Sequence, residues 1–438
     1  MRVVLALNGT RGDVQPAVVL GVELAGRGHE VVVGAPPNLA GFVEGAGLAV
    51  RSFGYDTRAH MNSDLVRDGL RKGGPRARLR ALTEIRDRGW QQMVDEMFDL
   101  CATADIIVTG FTTQQIAFAF AQRDSVPLVV LHHAPIADNP LISPFPGAPL
   151  SLPPWVNTLS WRLVDRLFWI LTRRRENRLR ALLGLGPVRG VLSRRMAAAG
   201  VTEVQAYDPV FCPGLEDAWD NRRPLVGFVD LPGELRSRIG TEVPDPATDH
   251  WIAGGPAPIY FGFGSMPVRD TAGVLTAIET ACRRLGQRAL ICAGWSDLGL
   301  GESEAGSIDP RRSDMIRIVE SVDHRRVFTR CRAVVHHGGA GTTSEVIRAG
   351  KPSVVCWVGS DQPFWGLQLE RLGVGVSTRL KGITAETLEA RLRTVMAPGY
   401  TQRSQDLATR LIPAEQATAA AVDVIERAAH RRSSESVG

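Results

Sequence analysis

The chain has 438 residues, 44% hydrophobic and 22% charged, with a formal net charge of +5 at pH 7. Single cores stop growing near roughly 250–300 residues, so this length implies two or three domains, and the composition excludes a mainly disordered chain or a small disulfide scaffold. The positive charge is nearly all arginine, Lys72, Lys351 and Lys381 being the only lysines; spread along the chain, it is no nucleic-acid footprint but suits anionic substrates.

The N-terminus reads as a strand over Val3–Leu7, a Gly-containing turn, a helix from about Gln15 to Arg27 and a strand over Val31–Val33, which is a βαβ unit. Met1-Arg2 meets that apolar run at once, without a cleavage pattern, so no signal peptide is expected and the reading is cytoplasmic. Residues 56–100 predict an irregular loop and then a helix over about Arg76–Leu100. Ile106–Val108 and Leu128–Leu131 read as buried parallel strands flanking a helix over Thr113–Arg123. Seven prolines between 134 and 157 predict a long loop.

Trp155–Leu183 is amphipathic, with Trp161, Val164, Leu167, Phe168 and Leu171 at helical spacing before Arg173-Arg174-Arg175. A helix packed on its own domain, one apolar edge toward a pocket, is the expectation; a membrane-surface helix is the lesser alternative. Residues 231–255 read as a linker between a first domain over 1–230 and a second over 256–412. In the second, strands are expected at 258–263, 288–292, 316–319, 333–336 and 353–357, and helices at 271–285, 342–349, 365–372 and 384–396. A final helix spans about 413–430, and 431–438 is expected to be a flexible tail. The six cysteines show no CxxC spacing, and no tight Cys/His cluster suggests a metal, so none is expected.

Three constellations sit where parallel strands end. His336-His337-Gly338-Gly339-Ala340-Gly341-Thr342-Thr343-Ser344-Glu345 follows a strand and opens a helix, so free backbone N–H groups and the positive helix end suit a phosphate. A ligand-free turn is the other reading. Gly359-Ser360-Asp361-Gln362-Pro363 places a carboxylate beside an amide, which suits a polyol or, equally, a solvated turn. Asn8–Pro16 puts Asp13 either at a helix N-cap or facing a ligand as a general base.

With Gly-Thr-Arg-Gly-Asp-Val-Gln-Pro at 9–16, Gly-Ser-Met at 264–266, His-His-Gly-Gly-Ala-Gly-Thr-Thr at 336–343 and Asp-Gln-Pro-Phe-Trp-Gly at 361–366, the chain resembles, over nearly its whole length, the family 1-like inverting nucleotide-sugar glycosyltransferases. That group includes sterol glucosyltransferases and bacterial antibiotic and macrolide glycosyltransferases. The resemblance implies an α/β GT-B fold, two Rossmann-like domains whose parallel sheets face an interdomain cleft, with the last helix crossing back to the N-terminal domain. It implies that Asp13 is the base, that Ser265, His337, Gly339, Gly341 and Thr342 hold the donor diphosphate, that Val322 and Glu345 meet the nucleoside, and that Asp361 and Gln362 read the sugar. In the segment before the His-His motif, Arg326 stands where many relatives have a tryptophan near the base.

The acceptor is expected to be hydrophobic and hydroxylated, such as a polyketide, macrolide, phenol or sterol, in a pocket with Thr10, Arg11, His133, Ile136, Phe145 and Phe168. His132-His133 is equally readable as a pair at the core rim. The resemblance implies that Glu345, eight residues after His337, partners two ribose hydroxyls, favouring a UDP-sugar (UDP-glucose first); a surface charge is the other reading. The alternatives are a thymidine-diphosphate-deoxysugar-dependent antibiotic glycosyltransferase and a non-catalytic activator of a paired enzyme. No cofactor, no nucleic acid and a monomer or weak homodimer are expected.

Overall fold

The computed structural model of the chain describes residues 1–61, 89–145, 152–219, 223–239, 245–266, 268, 270–296 and 314–435. Two compact units divide it. The first holds Met1–His60, the described residues from Gly89 to Ile239 and, from Ile412, the C-terminal segment; the second holds Met61 and the described residues between Gly240 and Leu411.

The first unit is built on strands β1 (Arg2–Ala6), β2 (Glu30–Ala35), β3 (Ala49–Ser52), β4 (Ile106–Gly110), β5 (Leu128–His132) and β6 (Thr202–Gln205), in the order β3-β2-β1-β4-β5-β6. Every neighbouring pair is parallel. Alternate residues face opposite sides, and both sides are covered, which is why the central strands read as unbroken apolar runs. Val3, Leu5, Val33 and Val108 pack with α1 (Arg11–Gly26) on one face. Val4, Ala6, Ile107 and Val130 pack on the other with α2 (Trp90–Cys101) and α3 (Gln114–Asp124). The long helix α4 (Pro154–Leu182) joins the second face through Leu179.

The second unit holds β7 (Ile259–Gly262), β8 (Ala289–Cys292), β9 (Ile316–Val319), β10 (Ala333–His336), β11 (Ser353–Trp357) and β12 (Gly375–Arg379), ordered β12-β11-β10-β7-β8-β9 and again parallel. Counted from its own first strand, this is the order of the first sheet. Both are doubly wound Rossmann-like sheets, whose chain direction reverses between β1 and β4 and between β7 and β10. Helices α5 (Thr271–Leu285), α6 (Ala340–Arg348), α7 (Gln362–Arg371) and α8 (Ala385–Val395) flank the second sheet.

The last helix, α9 (Ala414–Glu435), belongs to the first unit. Ala421, Val422 and Ile425 enter the core around α1, and Arg27 reaches Asp423 (2.6 Å) and Glu426 (3.0 Å). The chain enters it through Ile412, whose backbone N–H donates to buried Asp208 at 2.7 Å.

Several elements differ from the expectations. Helix α1 starts at Arg11, four residues before Gln15, because Thr10 rather than Asp13 is its N-cap. The helix expected over 76–100 is described from Trp90; its earlier part lies outside the described residues. A helix at Pro398–Ala408, with proline at its first position, was not anticipated. The stretch 231–255 carries helices Gly233–Ile239 and Pro246–Ala253. Where a tail is expected from 431, α9 runs on to Glu435, since no glycine or proline interrupts Ala414–Glu435. None of the six cysteines is in a disulfide, and burial pushes Cys101, Cys282, Cys331 and Cys356 up to about 12, as inert thiols.

Ile425 is fully buried in the core of the first unit. Ile425→Ala should therefore lower unfolding free energy by about 2–5 kcal/mol in chemical denaturation; a loss near zero would mean that α9 is not docked in solution.

Candidate active site

Asp13 stands in the first turn of α1, directly after β1. The Thr10 N–H donates to Asp13 Oδ2 at 2.7 Å and the Thr10 hydroxyl reaches the same oxygen at 3.2 Å. This is a capping box closed back onto the loop. The carboxylate is thereby fixed in orientation while remaining half-buried rather than sealed. A Cβ at Gly9 would lie 2.3 Å from Asp13 Oδ2, so only glycine lets the loop pass so close to the carboxylate. Arg11 turns away along the helix, its Nε donating to Gln15 (2.9 Å) and its guanidinium lying over the Phe42 ring at 5.1 Å.

Other candidate acceptor residues are spread around the ends of β4 and β5. His132 and His133 separate. His132 is buried, its Nε2 3.2 Å from Glu203 Oε2. Burial alone would raise Glu203, but His132 and Arg223 outweigh it and hold that carboxyl below its ordinary range. His133 is half-buried, and desolvation with its neighbour His132 lowers it to about 4. The following loop is pinned at three places. Trp161 Nε1 donates to Ile142 O (2.7 Å), Asn157 to Pro140 O (3.0 Å), and Trp219 Nε1 to Asp138 O (2.9 Å). On it Ile136 is half-buried and Phe145 exposed; Phe168, on α4, is also exposed.

In the second unit, the loops after β7 and β10 meet. A Cβ at Gly264 would stand 3.0 Å from His337, so the Gly264-Ser265 turn lies against that ring. A Cβ at Gly339 would be 2.6 Å from His337 Nε2, so glycine is required there too. Gly339 is the N-cap of α6, followed by exposed Gly341 and half-buried Thr342. The two histidines differ in role. His336 is wholly buried, and its Nδ1 accepts the Gly338 N–H at 3.1 Å. His337 faces the loop, and desolvation with the nearby His324 lowers it to about 4. Held neutral at pH 7, the ring offers an N–H donor and no positive charge.

Glu345 is not a surface charge. It is buried on α6, and His324 Nδ1 lies 2.6 Å from its Oε2. With the carboxylate as acceptor, Nδ1 carries the proton and Nε2 accepts from the Tyr260 hydroxyl at 3.2 Å. His324 also stacks on Phe328, centroids 4.5 Å apart. Neither His324 nor Tyr260 was singled out from sequence; no spacing links them to Glu345. Val322 has its side chain in the core with Tyr260 and Phe328. Arg326 pairs with Asp249 at 2.6 Å.

After β11, Ser360 adopts φ 59°, a left-handed conformation that is uncommon for a non-glycine residue. The turn it makes aims Asp361 and Gln362. Trp365 Nε1 donates to Asp361 Oδ2 at 2.8 Å, and burial raises the Asp361 carboxyl above its ordinary value. The Gln362 carbonyl accepts from Val358 N–H (2.8 Å) and Gly359 N–H (3.3 Å), while its amide donates to Met266 Sδ at 3.0 Å. Among the described residues no cluster of His, Cys, Asp and Glu could hold a metal ion.

Acidification tests the neutral histidines. Desolvation lowers His336 to about 3, far below an unfolded histidine near about 6.5. Below that unfolded value the unfolded chain binds the extra proton, so stability present above pH 6.5 is lost as pH falls. Between pH 6 and 4, His336→Gln should make the stability-versus-pH slope shallower by up to about 1.4 kcal/mol per pH unit. Identical slopes would show that His336 titrates normally in the fold.

Residues 3–129 match the glycosyltransferase family 28 N-terminal domain, and residues 306–427 match the C-terminal domain of erythromycin biosynthesis protein CIII-like proteins. An uncharacterized glycosyltransferase of Mycobacterium tuberculosis is 39% identical over 432 residues, covering 98% of this chain and 100% of that protein. A sterol 3-beta-glucosyltransferase of Arabidopsis thaliana is 31% identical over 390 residues, covering 86% of this chain and 58% of that protein. The solved structure of the kitacinnamycin glycotransferase matches with a TM-score of 0.69 at 16% identity over 98% of both chains. That of the glycosyltransferase VinC in complex with dTDP matches with a TM-score of 0.61 at 16% identity, over 98% of this chain and 100% of that one. At these identities the solved structures show a shared fold, which the two Rossmann-like sheets bear out. The 39% identity over almost the full length carries the family: the chain belongs to the nucleotide-sugar-dependent glycosyltransferases of GT-B fold.

Proposed function

We propose that this glycosyltransferase moves a deoxysugar from a thymidine diphosphate donor to a hydroxyl of a hydrophobic small molecule, inverting the anomeric centre. The observation that carries the donor choice is the prior commitment of the hydroxyl-reading groups. With Oε2 already accepting from His324, Glu345 has less acceptor capacity left for a ribose diol. The Gln362 carbonyl is taken by two loop amides, and Asp361 Oδ2 by the Trp365 indole. Such a site suits a nucleoside and a sugar with fewer hydroxyls than uridine and glucose carry. The dTDP named with VinC supports the same reading.

The mechanism follows from the groups present. The acceptor oxygen attacks the anomeric carbon as the bond to the diphosphate breaks on the opposite face. Asp13, oriented by Thr10, takes the acceptor proton. The leaving diphosphate gains charge. The N–H groups opening α6, the Thr342 hydroxyl and the neutral His337 ring stabilise that charge, with Ser265 on the adjoining loop. Acceptor walls in this reading include Thr10, His133, Ile136, Phe145 and Phe168. Intact Asp13, His337 and Asp361 weigh against a non-catalytic activator.

A UDP-glucose donor is the second reading. It is favoured by the burial of Glu345, where a ribose contact is expected, and by the sterol glucosyltransferase relative. Calorimetric titration without added metal separates the two: dTDP should bind at least about tenfold tighter than UDP, a difference of about 1.4 kcal/mol. The reverse order moves the donor to a uridine sugar, and binding of neither nucleotide removes the catalytic reading. Asp13→Asn should cut kcat by about 10²–10⁴ while leaving dTDP affinity unchanged; near-normal turnover would reassign the base.

A further inference from the structure

Helix α4 carries a surface that the glycosyl-transfer reading does not use. Its inward side is set by Trp161, Thr172, Glu176 and Leu179. On the opposite side Trp155, Leu159, Leu163, Leu167, Ile170 and Leu171 are each 48–69% exposed. Spaced mostly four apart, they form one ridge about 24 Å long at 1.5 Å per residue. Six large apolar side chains in one exposed row are not the scattered single residues of an ordinary surface.

The charges on the same helix are one-sided. Arg162 and Arg166 flank the ridge, and exposed Arg173, Arg174 and Arg178 continue it toward the C-terminus. The two acidic residues of α4 are both turned inward. Asp165 accepts from Ser193 at 2.6 Å, and Glu176 is buried with Arg195 and Gln115. Among the described residues, the acid of another element that pairs with an arginine on this side is Asp138, 3.4 Å from Arg162. The exposed surface of α4 therefore offers apolar side chains and arginines without carboxylates of its own. A second copy seated on it would bring like charges together. A surface with an apolar interior and an anionic face is complementary to both parts.

We propose that α4 docks this enzyme on an anionic membrane surface, lying in the interface with the ridge from Trp155 to Leu171 inserted and the arginines on lipid phosphates. Among the described residues no helix is long and apolar enough to cross a membrane, so α4 lies on the bilayer and does not span it.

Flotation of the full chain with phosphatidylcholine vesicles, and with vesicles that also contain phosphatidylglycerol, tests this. The protein should float with the anionic vesicles and not the neutral ones, and added salt should release it. Leu159→Ser/Leu163→Ser and Arg173→Glu/Arg174→Glu should each reduce binding at least about tenfold, with melting temperature unchanged. Absence of an anionic preference, or binding untouched by both variants, overturns the proposal. So does a wild-type dimer that the serine variant converts to monomer, because a second copy would then cover the ridge. A marked drop in melting temperature for that variant also overturns it, since the chain's own residues would then bury the ridge.

Discussion

Everything at the candidate site depends on the reversal of strand order in each sheet. Where the chain winds outward in both directions from two adjacent parallel strands, the loops leaving those strands must diverge, and the gap between them is a crevice. In the first unit the reversal lies between β1 and β4. The loop carrying Asp13 leaves one strand and Phe111–Thr113 leave the other, with the Thr112 hydroxyl donating across to Asn8 O at 2.5 Å. In the second it lies between β7 and β10, where Gly264-Ser265 meets His337. Two stretches with no similarity in sequence thus come to line crevices for the same topological reason.

In the proposed reading the second crevice holds the diphosphate, and the described residues there bring few cationic side chains. Arg326 is spent on Asp249, and His337 is kept neutral by burial. Among the described residues what remains is the start of α6, the hydroxyl of Thr342 and backbone N–H groups. These are fixed dipoles with little desolvation to undo, so the field they exert is present before the ligand arrives. The glycine at the N-cap, Gly339, lets the His337 ring lie close against the start of that helix.

Much of this was legible in the sequence, and the failures have physical causes. Central strands such as Val3–Ala6 and Ala333–His336 are covered on both faces and announce themselves as apolar runs. Three of the four edge strands do not. Ala49–Ser52, Thr202–Gln205 and Gly375–Arg379 mix polar and apolar residues and gain strand geometry only by pairing with a neighbour already in place. The Gly-rich loops were visible because close approach leaves a compositional mark. The His324–Tyr260 support behind Glu345 left none, since it joins residues 21 and 64 apart from His324 through tertiary packing. In the His-His pair, strand alternation and the loop beyond it decide which ring is sealed and which faces outward, and two identical letters do not show that.

The three side chains that the proposed reading sets against the nucleoside and the sugar share one arrangement. Glu345, Asp361 and Gln362 each have an acceptor oxygen held by the protein, by His324, by Trp365 and by the Val358 and Gly359 amides. Holding one side of a planar group fixes the plane, so the other side meets a ligand in one orientation and loses little entropy on binding. The strained turn at Ser360 is what allows the Gln362 carbonyl to reach the two loop amides, and those bonds offset the strain. The amide of Gln362, by contrast, rests on the soft sulfur of Met266, a weak acceptor that a ligand oxygen displaces at small cost. Within one side chain a fixed structural end is thus separated from an exchangeable end, and in the proposed reading a sugar hydroxyl takes the place of that sulfur.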